Sequence, residues 1–170
     1  MVIRQERRED YGTVYRVVQE AFASAEESGG TEQDLVAALR KSPGFLPELS
    51  LVAEEDGEII GHILFTRAFV GARPVLALAP LSVLPAHQRK GVGLALMERG
   101  HAIARELGYG YSVVLGHPAY YLRAGYVPAE RYGVRPPFPV EAEGAFMALR
   151  LDPGAEGLDG VIRYDPAFGI

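Results

Sequence analysis

The segment Leu81 to Leu96, LSVLPAHQRKGVGLAL, leaves the chain around it little freedom. It starts apolar and strand-like, passes through a polar centre with two basic residues, and ends apolar after Gly91 and Gly93. A strand that runs into Gln88-Arg89-Lys90-Gly91-Val92-Gly93 and then into a helix presents backbone N–H groups at the helix N-terminus, where the dipole favours an anion. Without a Cβ, Gly91 and Gly93 let a phosphate approach the backbone closely and permit unusual φ and ψ. Arg89 and Lys90 add positive charge. The plainer alternative is an ordinary strand-to-helix turn in which the glycines only ease the geometry.

Residues that are missing narrow the choice. A Walker-type loop needs Gly-Lys followed by Ser or Thr, and no such triplet follows here. A dinucleotide fingerprint needs a third glycine, and that position is Leu96. Gly110-Tyr111-Ser112-Val113-Val114 begins like the elbow of a serine hydrolase but lacks its closing glycine. With 0 cysteines the chain has no disulfide, no thiolate metal site and no cysteine nucleophile, which favours an intracellular, cytoplasmic setting. His62, His87, His101 and His117 show no paired metal-ligand spacing, so no metal is expected. The formal charge of -5, with interspersed basic residues, argues against a nucleic-acid surface. MVIRQERRED has no apolar core for a signal peptide, and no run is long enough to span a membrane.

The rest of the chain reads as a single domain over residues 1–170, because a 48% hydrophobic content is enough for one substantial core. Met1 to Glu6 reads as a first strand. Tyr11, Val14, Tyr15, Val18 and Phe22 fall at helical spacing, and Thr31 opens a second helix through LVAALRK. Leu51 to Glu54 and Glu58 to Phe69 read as a hairpin around Glu55-Asp56-Gly57. A third strand follows through RPVLALAPLSVL, bulged, bent or unpaired at Pro80, which has no N–H to donate. Beyond the glycine turn, Leu96, Gly100, Ile103 and Leu107 share a helix face ending near Gly108. YSVVLG is a short buried strand, AYYLRAG a short helix, and residues 144–170 carry strands at Ala145 to Leu151 and Val161 to Tyr164.

The remaining pattern at Gln88 to Gly93 is Q/R-x-x-G-x-G/A, and with it the sequence resembles the GNAT superfamily of N-acetyltransferases. AYYLRAGY agrees, matching the superfamily's F-Y-x-K-x-G-F signature at Tyr120, Tyr121, Arg123, Gly125 and Tyr126. VLGHPAYYLRAGY and the ending IRYDPAFG look like a bacterial branch of mostly uncharacterised predicted acetyltransferases. The resemblance implies an α+β, three-layer fold: a mixed, mostly antiparallel central sheet with helices on both faces. It implies an acetyl-CoA-dependent transferase that moves the acetyl group directly to a primary amine of a small molecule or protein. The alternatives are a noncatalytic acyl-CoA-binding domain or a transferase of another acyl-CoA. A homodimer through exposed edge strands is a further implication.

Carried onto this chain, the resemblance gives the pyrophosphate to Gln88, Arg89, Lys90, Gly91, Val92, Gly93 and Leu94 and the pantetheine arm to the backbone of Leu81, Ser82 and Val83. Val113 to Gly116 would form the opposite lip. Tyr121 matches the tyrosine that protonates the leaving thiolate, a transfer a phenol can make when held close, while Tyr120 and Tyr126 read as packing residues. The general base stays open. VLALAPLSV lacks the strand glutamate of many relatives, leaving Glu20, Glu26, Glu27 and His117 as candidates.

Overall fold

The computed structural model describes residues 1–25 and 28–170. Nine strands and four α-helices are present among them: β1 (Val2–Gln5), α1 (Tyr11–Phe22), α2 (Glu32–Leu39), β2 (Phe45–Glu55), β3 (Glu58–Val70), β4 (Arg73–Val83), α3 (Val92–Glu106), β5 (Tyr111–Leu115), α4 (Pro118–Leu122), β6 (Val127–Pro128), β7 (Val134–Arg135), β8 (Phe146–Arg150) and β9 (Gly160–Arg163). The sheet order is β1-β2-β3-β4-β5-β8-β6, with β9 pairing both β3 and β7. All pairings are antiparallel except β4 with β5 and β7 with β9. This is the mixed, mostly antiparallel sheet that the resemblance implies.

Alternation along β2 and β3 sends successive side chains to opposite faces, and each face has its own cover. Leu49, Leu51, Ile63 and Phe65 pack with Leu96 and Met97 of α3. Val52 and Leu64 pack with Val14, Val17 and Val18 of α1 and Val36 and Leu39 of α2. Tyr15, expected on the buried face of α1, is exposed and donates its hydroxyl proton to Asp34 of α2 at 2.9 Å. Leu107 likewise lies in the C-cap of α3, 41% exposed, because the helix ends before its face returns to the sheet. Thr31 precedes α2 without a side-chain cap; its carbonyl takes the N–H groups of Asp34 and Leu35 instead.

The hairpin turn has φ of 51° at Asp56 and 77° at Gly57, the left-handed pair that matches strand twist in a two-residue connection. Pro80 is bulged as its chemistry demands. Ile63 faces Leu81 while Phe65 faces Leu78, so Ala79 and Pro80 together oppose Leu64 alone. Two features escape the sequence reading: the short strands β6 and β7, and the return of β9 to the edge of β3 at Phe69 and Val70. The turn after β9 is clamped by buried Asp165, whose carboxylate accepts from the N–H groups of Gly44 and Ala167 at 2.8 Å each and from the Ser42 hydroxyl.

Candidate active site

Strands β4 and β5 run parallel but are paired only at Leu76–Ser112 and Ala77–Val113. Beyond that point β4 continues past its bulge to Val83, and β5 turns its hydrogen bonds to β8 as far as Leu115. The two strands therefore splay, with Leu81, Ser82 and Val83 on one lip and Val114 to Gly116 on the other. A parallel pair opened this way leaves backbone groups of β4 facing the gap, where an extended ligand can take the place of a strand.

Past β4 the chain makes one turn of 3-10 helix at Pro85–His87 and enters the glycine turn. The Gln88 amide donates to the Val83 carbonyl at 3.0 Å, tying the loop to the strand end. Arg89 and Gly91 both adopt left-handed φ, 62° and 83°, and Gly91 is the N-cap of α3. A residue at Gly91 must tolerate that φ, which glycine does without steric cost. The first helical bond runs from Ala95 N–H to the Gly91 carbonyl at 3.0 Å, so the N–H groups of Val92, Gly93 and Leu94 precede it. Gln88, Arg89, Lys90 and Gly91 are exposed, Val92 and Gly93 buried, and Leu94 half-buried.

The short helix α4 follows the β5 lip directly. Its N-cap is His117, with Pro118 at the first helical position, a placement that suits proline. Tyr121 lays its ring against Gly116 so closely that a Cβ there would overlap Cε2, and it meets Tyr120 and Tyr126 edge-on at 5.1 Å and 5.7 Å between centroids. Burial, reinforced by Tyr120, pushes the Tyr121 phenol well above its ordinary range and keeps it protonated. The fully buried Tyr126 anchors the end of α4, its hydroxyl 2.8 Å from both Ser112 Oγ and His101 Nε2. Tyr120 does more than fill space: its hydroxyl sits over Gly93, where any Cβ would collide with it, beside the Leu81 side chain.

That contact makes a prediction. Gly93→Ala should cost about 1–3 kcal/mol by overpacking, and Tyr120→Phe in the same chain should recover most of it, since only the hydroxyl overlaps. Urea unfolding of the single and double variants measures both, and equal losses would show that Tyr120 is not the obstacle.

The candidate bases fare unevenly. Glu20 is exposed on α1, His117 is exposed at the start of α4, and Glu26 and Glu27 lie outside the described residues. Sequence reasoning did not single out the buried polar group formed by Glu6, Ser50 and His62 with Arg40. Arg40 donates to the Glu6 carboxylate from Nη2 at 2.6 Å and Nε at 3.1 Å, Ser50 donates to it at 2.9 Å, and His62 Nε2 lies 3.0 Å from Ser50 Oγ. The one available signal was His62 itself, a titratable side chain inside the apolar run EIIGHILF.

The splayed parallel pair, the left-handed glycine N-cap and Tyr121 against Gly116 make up the candidate site. Residues 11–126 match the family model for the acetyltransferase (GNAT) family. The uncharacterized N-acetyltransferase YjhQ of Escherichia coli K12 is 37% identical over 92% of this chain and 87% of its own length. The crystal structure of the E. coli GNAT family N-acetyltransferase YhbS in complex with CoA has a TM-score of 0.88 and 31% identity, covering 99% of this chain and 92% of that one. A GNAT family acetyltransferase from Brucella melitensis in complex with acetyl-CoA has a TM-score of 0.81 and 34% identity, covering 98% and 97%. The chain belongs to the GNAT family of acetyltransferases, and its class is that of an N-acetyltransferase.

Proposed function

We propose that the chain transfers the acetyl group of acetyl-CoA directly to a primary amine, on a small molecule or on a protein. The observation that carries this reading is the splay of β4 from β5, with the N-terminus of α3 beyond the end of β4 and Tyr121 packed on Gly116 at the end of β5. Gln88 to Leu94 hold the pyrophosphate through exposed side chains and the N–H groups at the start of α3. The backbone of Leu81, Ser82 and Val83 takes the pantetheine arm and offers an N–H to the carbonyl oxygen as it gains charge. Tyr121 gives its proton to the departing sulfur. With 0 cysteines there is no thiol for an acyl-enzyme, which supports direct transfer in a ternary complex.

The test is a thermal-shift titration with acetyl-CoA, CoA and ATP, followed by a screen for CoA release across primary amines and lysine-containing peptides. Binding to the native state alone adds about 2.7 kcal/mol at a hundredfold excess over Kd, or a rise of about 5 to 11 °C for a chain this size. Acetyl-CoA and CoA should both give the rise and ATP should not. No rise with acetyl-CoA would overturn the cofactor site. A rise without amine-dependent CoA release would favour a noncatalytic acyl-CoA-binding role.

A further inference from the structure

Strands β2 and β9 share one edge of β3, end to end. β2 runs along β3 as far as the Phe45–Thr66 pair, and β9 takes over at Phe69 and Val70. At the junction a cavity of about 160 Å³ opens, lined by the chain ahead of β2, by Arg67 and Phe69 of β3, and by Arg163, Tyr164 and Asp165 at the end of β9. Side chains alternate along a strand, so Arg67 and Phe69 leave β3 on one face while Thr66, Ala68 and Val70 are buried on the other. Arg163 is the register partner of Phe69 and stands on the same face, a cross-strand diagonal of about 7–8 Å from Arg67. Phe65, also on that face, is covered by α3 at Gly100, whereas Arg67 and Phe69 are half-buried and Arg163 is exposed.

Two guanidiniums on one diagonal repel each other, and neither is neutralised. Among the described residues Arg67 and Arg163 make no ion pair, while Arg4, Arg40, Arg73 and Arg135 each hold a carboxylate. Arg67 donates from Nη2 to the Pro43 carbonyl at 2.9 Å, and Arg163 donates from Nη2 to the Gly71 carbonyl at 2.8 Å. Each bond spends one of five N–H donors and limits where the others can point. Arg163 also lies over the Phe69 ring, 5.8 Å from its centroid. These anchors separate the pair from arginines that only reach into solvent. Asp165, a carboxylate in the cavity wall, is 5% exposed and already accepts from the Ser42 hydroxyl and the N–H groups of Gly44 and Ala167. Two cations against one satisfied carboxylate leave the cavity positive.

We infer that this cavity binds a small oxyanion, with the oxygens of a carboxylate or phosphate held by Arg67 and Arg163 and a short apolar body resting on Phe69 and Tyr164. A guanidinium suits that chemistry because its planar fork meets two oxygens at once. The ligand is small, since pockets for drug-sized molecules run to about 300–1,000 Å³. The site is separate from the acetyl-CoA gap. From Ile63, which pairs with Leu81 of the β4 lip, to Phe69 is about 20 Å of strand. The anion should therefore bind whether or not acetyl-CoA does.

Side-chain Nε–H NMR of the full chain labelled with 15N-arginine is the test, with Arg67 and Arg163 assigned by their loss in Arg67→Gln and Arg163→Gln. Under sodium phosphate, or sodium benzoate as a carboxylate on an apolar body, both resonances should move together and saturate, and sodium chloride at equal ionic strength should not saturate them. Each variant should weaken the Kd for the anion, read at the remaining arginine, by about tenfold or more, with the acetyl-CoA Kd near that of the parent. Saturation by phosphate alone assigns the site to phosphate esters, and by benzoate alone to carboxylic acids. No saturation by either, movement confined to the other arginines, or an unchanged Kd in both variants would overturn the site. Arg163 is exposed, so Arg163→Gln, checked by its thermal midpoint, decides the matter even if Arg67→Gln unfolds.

Discussion

Tyr121→Phe is expected to lower kcat roughly 10²-fold or more while leaving the KM for acetyl-CoA little changed. The phenylalanine ring keeps the packing on Gly116 and the edge-on contacts with Tyr120 and Tyr126, so the variant removes one hydroxyl and little else. Burial raises the phenol's pKa, which secures the protonated form but also weakens it as an acid. In the proposed transfer the sulfur would be desolvated in the same gap, where a developing thiolate is likewise less stable than in water and more basic. A raised pKa also means that kcat should show no alkaline fall attributable to this phenol up to about pH 9. Steady-state kinetics of the variant from pH 6 to 9 checks both statements. An unchanged kcat would remove Tyr121 from the proton-donating role and leave it a wall of the gap.

Local chemistry explains why so much of the fold could be read in advance. The hairpin at Asp56-Gly57, the bulge at Pro80 and the helix opening at Gly91 each depend on what one or two residues can do with their own backbone, so the reading and the structure agree there. Errors arose where distant parts of the chain decide. Tyr15 leaves the buried face because Asp34 of α2 offers it a hydrogen bond, and β6 and β7 exist only because β8 and β9 pass beside them. The same division runs through the site. Gln88 to Gly93 and Tyr120-Tyr121 are contiguous motifs and could be named from sequence, although Tyr120 meeting Gly93 could not. Glu6, Arg40, Ser50 and His62 are scattered over β1, the end of α2, β2 and β3, and nothing in their spacing announces that they touch.

Acid should unfold this protein earlier than carboxylate chemistry alone would. Two histidines are buried neutral: His62, where desolvation outweighs the opposing pull of Glu6 and Arg40 adds to the lowering, and His101, where desolvation and then Arg105 act together. Each is depressed from 6.5 to about 4 in the folded chain. The unfolded chain therefore binds protons that the folded chain refuses, and the stability they contribute is complete above 6.5 and is lost as pH falls toward 4. Over the full window the loss is about 3 kcal/mol per histidine, and by pH 5 about 2 kcal/mol from each. For a chain this size the two together lower the thermal midpoint by on the order of 10 °C between pH 7 and pH 5. The Asp10 and Asp165 carboxyls, held below their ordinary 3.8, contribute only at lower pH and cannot mimic the effect. Thermal unfolding of the parent, His62→Gln and His101→Gln across this range should show the slope roughly halved in each variant. A midpoint that holds flat to pH 5, or falls as steeply in both variants as in the parent, would mean that the rings titrate with water at hand.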